Sequence, residues 1–309
     1  MKYSLIFPGQ GSQSLGMLSD LADNFSVVEE TFTQASDVLG FDLWHLTQTD
    51  ETALNQTQNT QPAMLAAGYA TYRVLAGEMD LSPICMAGHS LGEYTALVAA
   101  DALDFSAGIK LVRKRAELMQ SAVPVGVGAM AAILGLDDET VVKVCADYAG
   151  EGIVEAVNFN ASGQVVIAGN KDAVDITCQA MKTAGAKRAV LLPVSVPSHC
   201  SLMNDAASEF KNAVNNTEFS IGNIAVLHNV DAAKATDEND IRTKLVAQLH
   251  QPVLWTGTVK MMRKMDVEKL IESGPSKILT GLTRRIDKSL TASAALDTSS
   301  IATIVGEIK

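Results

Sequence analysis

The chain has 309 residues, of which 47% are hydrophobic and 19% are charged, and its formal net charge is −11. A hydrophobic fraction this high excludes an intrinsically disordered chain, and the acidic balance argues against a surface that binds nucleic acid. No stretch reaches the roughly 18 consecutive apolar residues of a membrane-spanning helix. We therefore expect a soluble, cytoplasmic protein with one large domain or two smaller ones.

Four cysteines and five histidines are scattered along the chain without a C-x-x-C pair or the spacing of a zinc site. At this length a disulfide framework is not expected, so the sequence predicts reduced thiols that are mostly buried. It predicts no metal site.

Strand and helix patterns alternate in the first hundred residues. A strand over residues 3–7 is followed by the turn 8–13, whose glycines can bring backbone close to a ligand. Helices are predicted over residues 27–39 and 62–76, and a short buried strand over residues 83–87. This alternation favours an α/β fold with a mostly parallel sheet.

The middle of the chain has a different order of elements. Strands are predicted over residues 128–136, 153–158, 164–168 and 187–192, and helices over residues 138–148 and 171–183. The resulting order βαββαβ is that of a ferredoxin-like unit, and prolines precede and follow it. We therefore predict a small ferredoxin-like domain, residues 126–194, inserted into a large α/β domain formed by residues 1–125 and 195–309.

The segment Gly88-His89-Ser90-Leu91-Gly92 matches the G-x-S-x-G pattern of a nucleophile elbow and lies between the predicted strand 83–87 and a predicted helix, residues 94–100. Such a turn holds the serine in a strained conformation at the head of a helix, where the helix dipole favours an anion. An ordinary glycine-rich turn is the structural alternative. The context predicts that Ser90 is a nucleophile in an α/β-hydrolase-like large domain.

A serine hydroxyl needs a base to take its proton, and the candidates are His45, His89, His199, His228 and His250. His89 lies inside the elbow and is expected to be structural. His199 follows the return from the small domain and comes after the serine in chain order, as in hydrolase-like sites. It is the first candidate and His228 the second, while a hydrogen-bonded core histidine remains the alternative for either.

Arg115 lies on the apolar stripe of a helix predicted over residues 106–122, together with Val112, Met119 and Ala122. A guanidinium on an apolar face needs a partner, and a carboxylate fits its forked donors. An internal ion pair and the carboxylate of a substrate are both compatible with this pattern.

Five motifs occur together in chain order: Phe7-Pro8-Gly9-Gln10-Gly11-Ser12-Gln13, Gln58-Asn59-Thr60-Gln61-Pro62-Ala63, Gly88-His89-Ser90-Leu91-Gly92-Glu93-Tyr94, Val196-Pro197-Ser198-His199 and Glu272-Ser273-Gly274-Pro275. Each is modest alone, but jointly they are specific and extend over essentially the whole chain. The chain resembles the bacterial malonyl-CoA:acyl carrier protein transacylases, which load malonyl units for fatty-acid synthesis.

The resemblance implies a reaction in which Ser90 is acylated by malonyl-CoA and passes the malonyl group to the phosphopantetheine thiol of acyl carrier protein. His199 would be the base. The backbone carbonyl of Gln248, rather than a carboxylate, would hold the histidine N–H. No cofactor is implied, because the chemistry needs only a nucleophile, a base and donors for the oxyanion.

The resemblance also implies the remaining site residues. The backbone N–H groups of Gln10 and Leu91 would form the oxyanion hole, and for Leu91 this agrees with the usual donor after an elbow serine. Arg115 would bind the free carboxylate of the malonyl group.

The acyl carrier protein is expected from the resemblance to be acidic, so it must dock on a local basic patch of this acidic chain. The candidates are one cluster near the small-domain exit and one near the C-terminus: Lys187 and Arg188, and Lys277, Arg284, Arg285 and Lys288. Ordinary solvated surface charge is the alternative for each residue.

Two other functions use the same residues. A serine hydrolase, such as a thioesterase, would use Ser90 and His199 with water as the acceptor, and a silent scaffold or carrier-binding module would keep only the fold. Arg115 and the loop around Gln10 favour the transferase over the hydrolase, whereas an intact serine and histidine argue against the scaffold.

Overall fold

A computed structural model describes residues 1–124, 126–194 and 196–309 of the chain. The helices, numbered in chain order, are α1 Ser19–Asn24, α2 Val27–Leu39, α3 Leu43–Thr49, α4 Glu51–Leu54, α5 Thr57–Glu78, α6 Gly92–Ala99, α7 Phe105–Ala122, α8 Asp138–Ala146, α9 Lys171–Thr183, α10 Asn204–Asn215, α11 Glu238–Ala247, α12 Trp255–Lys264, α13 Ile278–Ile286 and α14 Thr298–Ile308. The strands are β1 Tyr3–Phe7, β2 Met86–Gly88, β3 Gly128–Leu134, β4 Val154–Ala161, β5 Gln164–Asn170, β6 Arg188–Leu191, β7 Val226–Leu227, β8 Lys269–Ser273 and β9 Thr291–Ala295.

A parallel sheet of five strands carries the elbow. Its strand order is β7-β2-β1-β8-β9, and each neighbouring pair is parallel. Every residue of β1 and of β8 is buried, as is typical of parallel strands that helices cover on both faces. The prediction of an α/β fold with a mostly parallel sheet is confirmed.

A separate antiparallel sheet of four strands forms from the middle of the chain, with the order β4-β5-β3-β6. Helices α8 and α9 bury their apolar faces against it through residues such as Val141, Val174 and Met181. The order of elements is the predicted strand, helix, strand, strand, helix, strand. Val125 and Ser195, where the predicted domain boundaries fall, lie outside the described residues.

Strand β4 of the small sheet bonds to the segment that precedes α12. The N–H of Phe159 donates to the carbonyl of Val253 at 3.0 Å, and the N–H of Val253 donates to the carbonyl of Val157 at 2.8 Å. Backbone hydrogen bonds therefore fix the small sheet against the segment that precedes α12.

Helix α5 begins at Thr57, five residues before the predicted start at Pro62. Proline within a helix lacks the N–H that would bond the carbonyl four residues earlier, here that of Gln58. Arg113 donates from Nη1 to this carbonyl at 3.1 Å. A side chain from α7 thus replaces the missing bond, and the helix extends through the proline.

Strand β2 is shorter than the predicted strand 83–87 and lies further along the chain, so that it runs directly into the elbow.

Among the described residues, none of the helices combines the length and the apolar composition that crossing a bilayer requires.

Candidate active site

Ser90 lies in a sharp turn between β2 and α6. Its φ of 52° is in the left-handed region, which is strained for a residue with a side chain. A Cβ at Gly88 would lie 1.8 Å from the carbonyl carbon of Gly92, and a Cβ at Gly92 would lie 2.1 Å from the carbonyl oxygen of Phe7. Only glycine fits at these two positions, so the turn has the geometry expected of an elbow.

His199 is the histidine that the structure brings to Ser90. Its Nε2 lies 2.8 Å from Ser90 Oγ, and its Nδ1 lies 2.6 Å from the backbone carbonyl oxygen of Gln248. Because a carbonyl can only accept, Nδ1 carries the proton and Nε2 presents its lone pair to the serine hydroxyl. The backbone N–H of His199 donates to the carbonyl of Leu249 at 3.0 Å, which fixes the loop that carries the ring.

His199 is only 2% exposed. Burial, together with a smaller effect of the positive charge of Arg115, lowers the pKa of His199 to about 3, although its hydrogen bond to the Gln248 carbonyl favours the protonated ring. The imidazole is therefore neutral at pH 7, which is the state that can accept the serine proton.

Gln10 and Leu91 line the same cavity as Ser90 and His199, which has a volume of about 120 Å³. Within the described ranges of the chain, neither backbone N–H donates to a protein acceptor. Backbone donors left free beside a nucleophile are what an oxyanion hole requires.

Arg115 lies on α7 and is 1% exposed. Its guanidinium donates to the side-chain oxygens of Gln61 at 2.9 Å and Gln248 at 3.0 Å, and Nη2 lies 3.3 Å from Ser90 Oγ. Its Nε has no hydrogen-bond partner among the residues in the structure's described ranges. Burial lowers the pKa of Arg115 from its ordinary value, yet a guanidinium stays charged.

No Asp or Glu of the described residues forms an ion pair with Arg115. The sequence left an internal ion pair of Arg115 open as an alternative, and no such pair forms among the described residues. The cation is held next to Ser90 by neutral oxygens and can receive the carboxylate of a ligand.

Three buried polar residues behind the site have no role in the sequence-based interpretation: Glu93, Asn229 and the side chain of Gln248. Asn229 Oδ1 accepts the N–H of Ser90 at 2.6 Å. Glu93 accepts from Nδ1 of His228 at 2.7 Å, so the second candidate for the base bonds a carboxylate rather than the serine. The only signal in the sequence was that Glu93 belongs to the motif that begins at Gly88.

The other polar groups near the elbow serve different contacts. His89 Nε2 lies 2.8 Å from Asn160 Oδ1 on β4 and links the elbow to the small sheet.

The four cysteines are buried and unpaired. In the ranges that the structure covers, no cluster of His, Cys, Asp and Glu is arranged to hold a metal ion.

The chain is similar to known proteins over nearly its full length. A family model described as an acyl transferase domain matches residues 4–309. The chain is 51% identical over 302 residues to the malonyl CoA-acyl carrier protein transacylase of Escherichia coli K12, covering 97% of this chain and 98% of that protein. The Haemophilus influenzae protein of the same name is 52% identical over 301 residues, covering 97% and 96%.

Solved structures give the same result. An acyl carrier protein S-malonyltransferase from Vibrio cholerae superposes with a TM-score of 0.96 at 52% identity and covers 98% of this chain and 100% of that chain. A malonyl-transacylase in complex with a type II polyketide synthase acyl-carrier protein superposes with a TM-score of 0.98 at 50% identity, covering 99% and 100%.

The neutral state of His199 is tested by an NMR titration of its imidazole in the free protein, with His199→Gln used to assign the resonances. We expect no protonation between pH 7.5 and about 5, because the pKa of the folded ring is lowered to about 3. Since the unfolded ring takes a proton below about 6.5, this residue's contribution to stability is complete above that pH and declines as the pH falls toward 3. A titration midpoint near 6.5 in the folded protein would contradict the assignment.

Proposed function

The chain belongs to the acyl transferase family, and from this we infer that it transfers the malonyl group of malonyl-CoA to the phosphopantetheine thiol of acyl carrier protein, supplying fatty-acid synthesis. The choice of substrate rests on the surroundings of Arg115. A buried cation without a carboxylate partner among the described residues lies 3.3 Å from the hydroxyl of Ser90, where the free carboxylate of a malonyl thioester can neutralise it.

We propose an α/β-hydrolase-like fold for the part of the chain formed by residues 1–125 and 195–309, supported by a parallel sheet with an elbow after β2. We propose a ferredoxin-like domain for residues 126–194. Its own four strands, counted along the chain, have the spatial order 2-3-1-4 and pair only antiparallel. This domain has an apolar core of its own under α8 and α9.

In the first half-reaction, Ser90 Oγ attacks the thioester carbonyl of malonyl-CoA while its proton passes to His199 Nε2. The negative charge on the carbonyl oxygen is stabilised by the backbone N–H groups of Gln10 and Leu91. Collapse of this intermediate breaks the C–S bond, and the departing CoA sulfur takes the proton from His199. The product is a malonyl ester on Ser90.

In the second half-reaction, the phosphopantetheine thiol gives its proton to His199 Nε2 and attacks the ester. The C–O bond to Ser90 then breaks, and the serine oxygen recovers the proton. Throughout both halves, the carbonyl of Gln248 keeps the other ring proton on Nδ1, so that the imidazole returns to the same tautomer after each step.

The transfer is tested by following radiolabelled malonyl-CoA with acyl carrier protein present and absent. We expect the label on the carrier protein, with little free malonate, because the proposed reaction ends on the phosphopantetheine thiol. Ser90→Ala should abolish transfer. Release of most of the label as free malonate would indicate a hydrolase instead, and a lack of turnover would indicate a scaffold.

Arg115→Ala should lower kcat/KM for malonyl-CoA by tens- to thousands-fold, since losing one partner of a buried charge pair costs on the order of 2–5 kcal/mol. Transfer from acetyl-CoA should stay level or rise. Arg115→Lys should rescue malonyl transfer only in part, because an ammonium group lacks the paired N–H donors with which a guanidinium binds both oxygens of a carboxylate. Lys114→Ala, at the neighbouring exposed position of α7, is the control. An unchanged ratio of malonyl to acetyl transfer in Arg115→Ala would make this arginine structural.

One residue from each basic cluster predicted from the sequence lies near the turn at Gly163 of the small sheet. Arg285 donates from Nη1 to Gln164 Oε1 at 2.7 Å, and Gln164 begins β5 beside the turn at Gly163. The carbonyl of Gly163 accepts the N–H of Gly135 at 2.8 Å, and the side chain of Lys187 lies against Gly135. We propose that the exposed side chains of this basic surface receive the acyl carrier protein; they are Lys187, Arg188, Arg284 and Arg285.

The double variant Arg188→Glu, Arg284→Glu should raise the KM for acyl carrier protein and weaken its dependence on salt, because it reverses charge on both sides of the basic surface. The rate at which malonyl-CoA acylates the enzyme should not change. If neither the KM nor its salt dependence moves, the carrier protein docks on another surface.

A further inference from the structure

Glu93 lies on α6 and is 0% exposed. Its carboxylate accepts three hydrogen bonds. Oε1 accepts from His228 Nδ1 at 2.7 Å, and Oε2 accepts from the N–H of Asn229 and from Nε2 of Gln248, both at 2.9 Å. Burying a carboxylate is unfavourable unless such bonds replace its hydration. The acyl-transfer steps leave this buried charge without a role.

One of the bonds to Oε2 leads to the nucleophile. Asn229, which donates its backbone N–H to Glu93, accepts the N–H of Ser90 on its side-chain oxygen at 2.6 Å and donates from Nδ2 to the carbonyl of Gly88 at 2.7 Å. Ser90 has a φ of 52°, a conformation that persists only where its surroundings fix it. Glu93 therefore fixes Asn229, and Asn229 in turn fixes the strained turn at Ser90.

The other bond to Oε2 leads to the base. Gln248 donates from Nε2 both to Glu93 and, at 3.0 Å, to the carbonyl of Ser90. The backbone carbonyl of the same residue bonds Nδ1 of His199 at 2.6 Å. A single carboxylate oxygen thus anchors both the turn of the nucleophile and the residue that orients the base.

We propose that Glu93 is a positioning residue that sets the distance between Ser90 Oγ and His199 Nε2 through its Oε2. His228 supplies the donor that Oε1 needs. This inference rests on the proposed roles of Ser90 and His199 in acyl transfer. Displacing reacting groups by about 1 Å lowers rates by about 10²-fold, and this sets the size of the expected effect.

The test measures formation of the acyl-enzyme by rapid quench with malonyl-CoA alone. In Glu93→Ala the maximal rate of acylation should fall about 10²-fold, while the half-saturating concentration of malonyl-CoA changes less than about threefold. In Glu93→Gln the rate should fall less than about fivefold, because the amide oxygen can replace Oε2 while its NH₂ faces His228 in the other tautomer. A merely structural role does not predict that the maximal rate falls while the half-saturating concentration of malonyl-CoA is nearly unchanged.

Glu272→Ala is the matched control. Glu272 is also 0% exposed and also accepts three hydrogen bonds, from the hydroxyl of Ser276 and the N–H groups of Leu279 and Thr280 at the start of α13. The Glu272→Ala protein should be less stable than the wild type, but malonyl-CoA should acylate it at the wild-type rate. Equal slowing in Glu272→Ala and Glu93→Ala, or acylation of Glu93→Ala at the wild-type rate, would overturn the proposal.

If Glu93→Ala does not fold, Gln248→Met removes the link from its other end, since it keeps the backbone carbonyl and loses the side-chain donor to Glu93, together with the oxygen that accepts from Arg115. Its maximal acylation rate should fall at least about tenfold, and a wild-type rate would overturn the proposal. If the wild-type protein itself forms no adduct on Ser90, the proposed function fails rather than the role of Glu93.

Discussion

Gly92 lies so close to the carbonyl of Phe7 that a Cβ there would be 2.1 Å from the oxygen. This close approach presses the start of α6 against the end of β1, and it forces the chain between β2 and α6 through the strained turn at Ser90. The position of the serine hydroxyl is therefore determined by the parallel sheet. The groups that act on it come from distant parts of the chain, since His199 and Gln248 reach the site from loops after the small sheet and after α11.

Gln248 organises the charges around this turn. Its side-chain oxygen accepts from Arg115 and its side-chain nitrogen donates to Glu93, so an amide lies between a buried cation and a buried anion. A direct ion pair would satisfy Arg115 internally and leave nothing for a substrate carboxylate. With the amide between them, the guanidinium stays charged and available for the substrate carboxylate that we propose it binds, and its charge helps to keep His199 neutral.

Local signals in the sequence were sufficient for much of this structure. The bounds of β1, α2 and α9 agree with the prediction, because each has a clear apolar period and a clear end. The elbow could be predicted because its glycines and serine are adjacent in the chain. The start of α5 could not, because a hydrogen bond from Arg113 in another helix allows Pro62 to lie inside it.

The hydrogen-bond network around Glu93 could not be predicted from the sequence either. Asn229 and His228 come more than a hundred residues after Glu93 and meet it only through tertiary packing. His228 illustrates the ambiguity, since a buried histidine is compatible with a catalytic base or with a partner for a carboxylate until its neighbours are known.

The most direct test of Ser90 as the residue that carries the malonyl group is mass spectrometry of peptides from protein quenched after one turnover with malonyl-CoA and no carrier protein. The predicted result is a malonyl adduct on the peptide that contains Ser90, which disappears when acyl carrier protein is added. An adduct on a different residue, or loading of the carrier protein by Ser90→Ala at the wild-type rate, would contradict it.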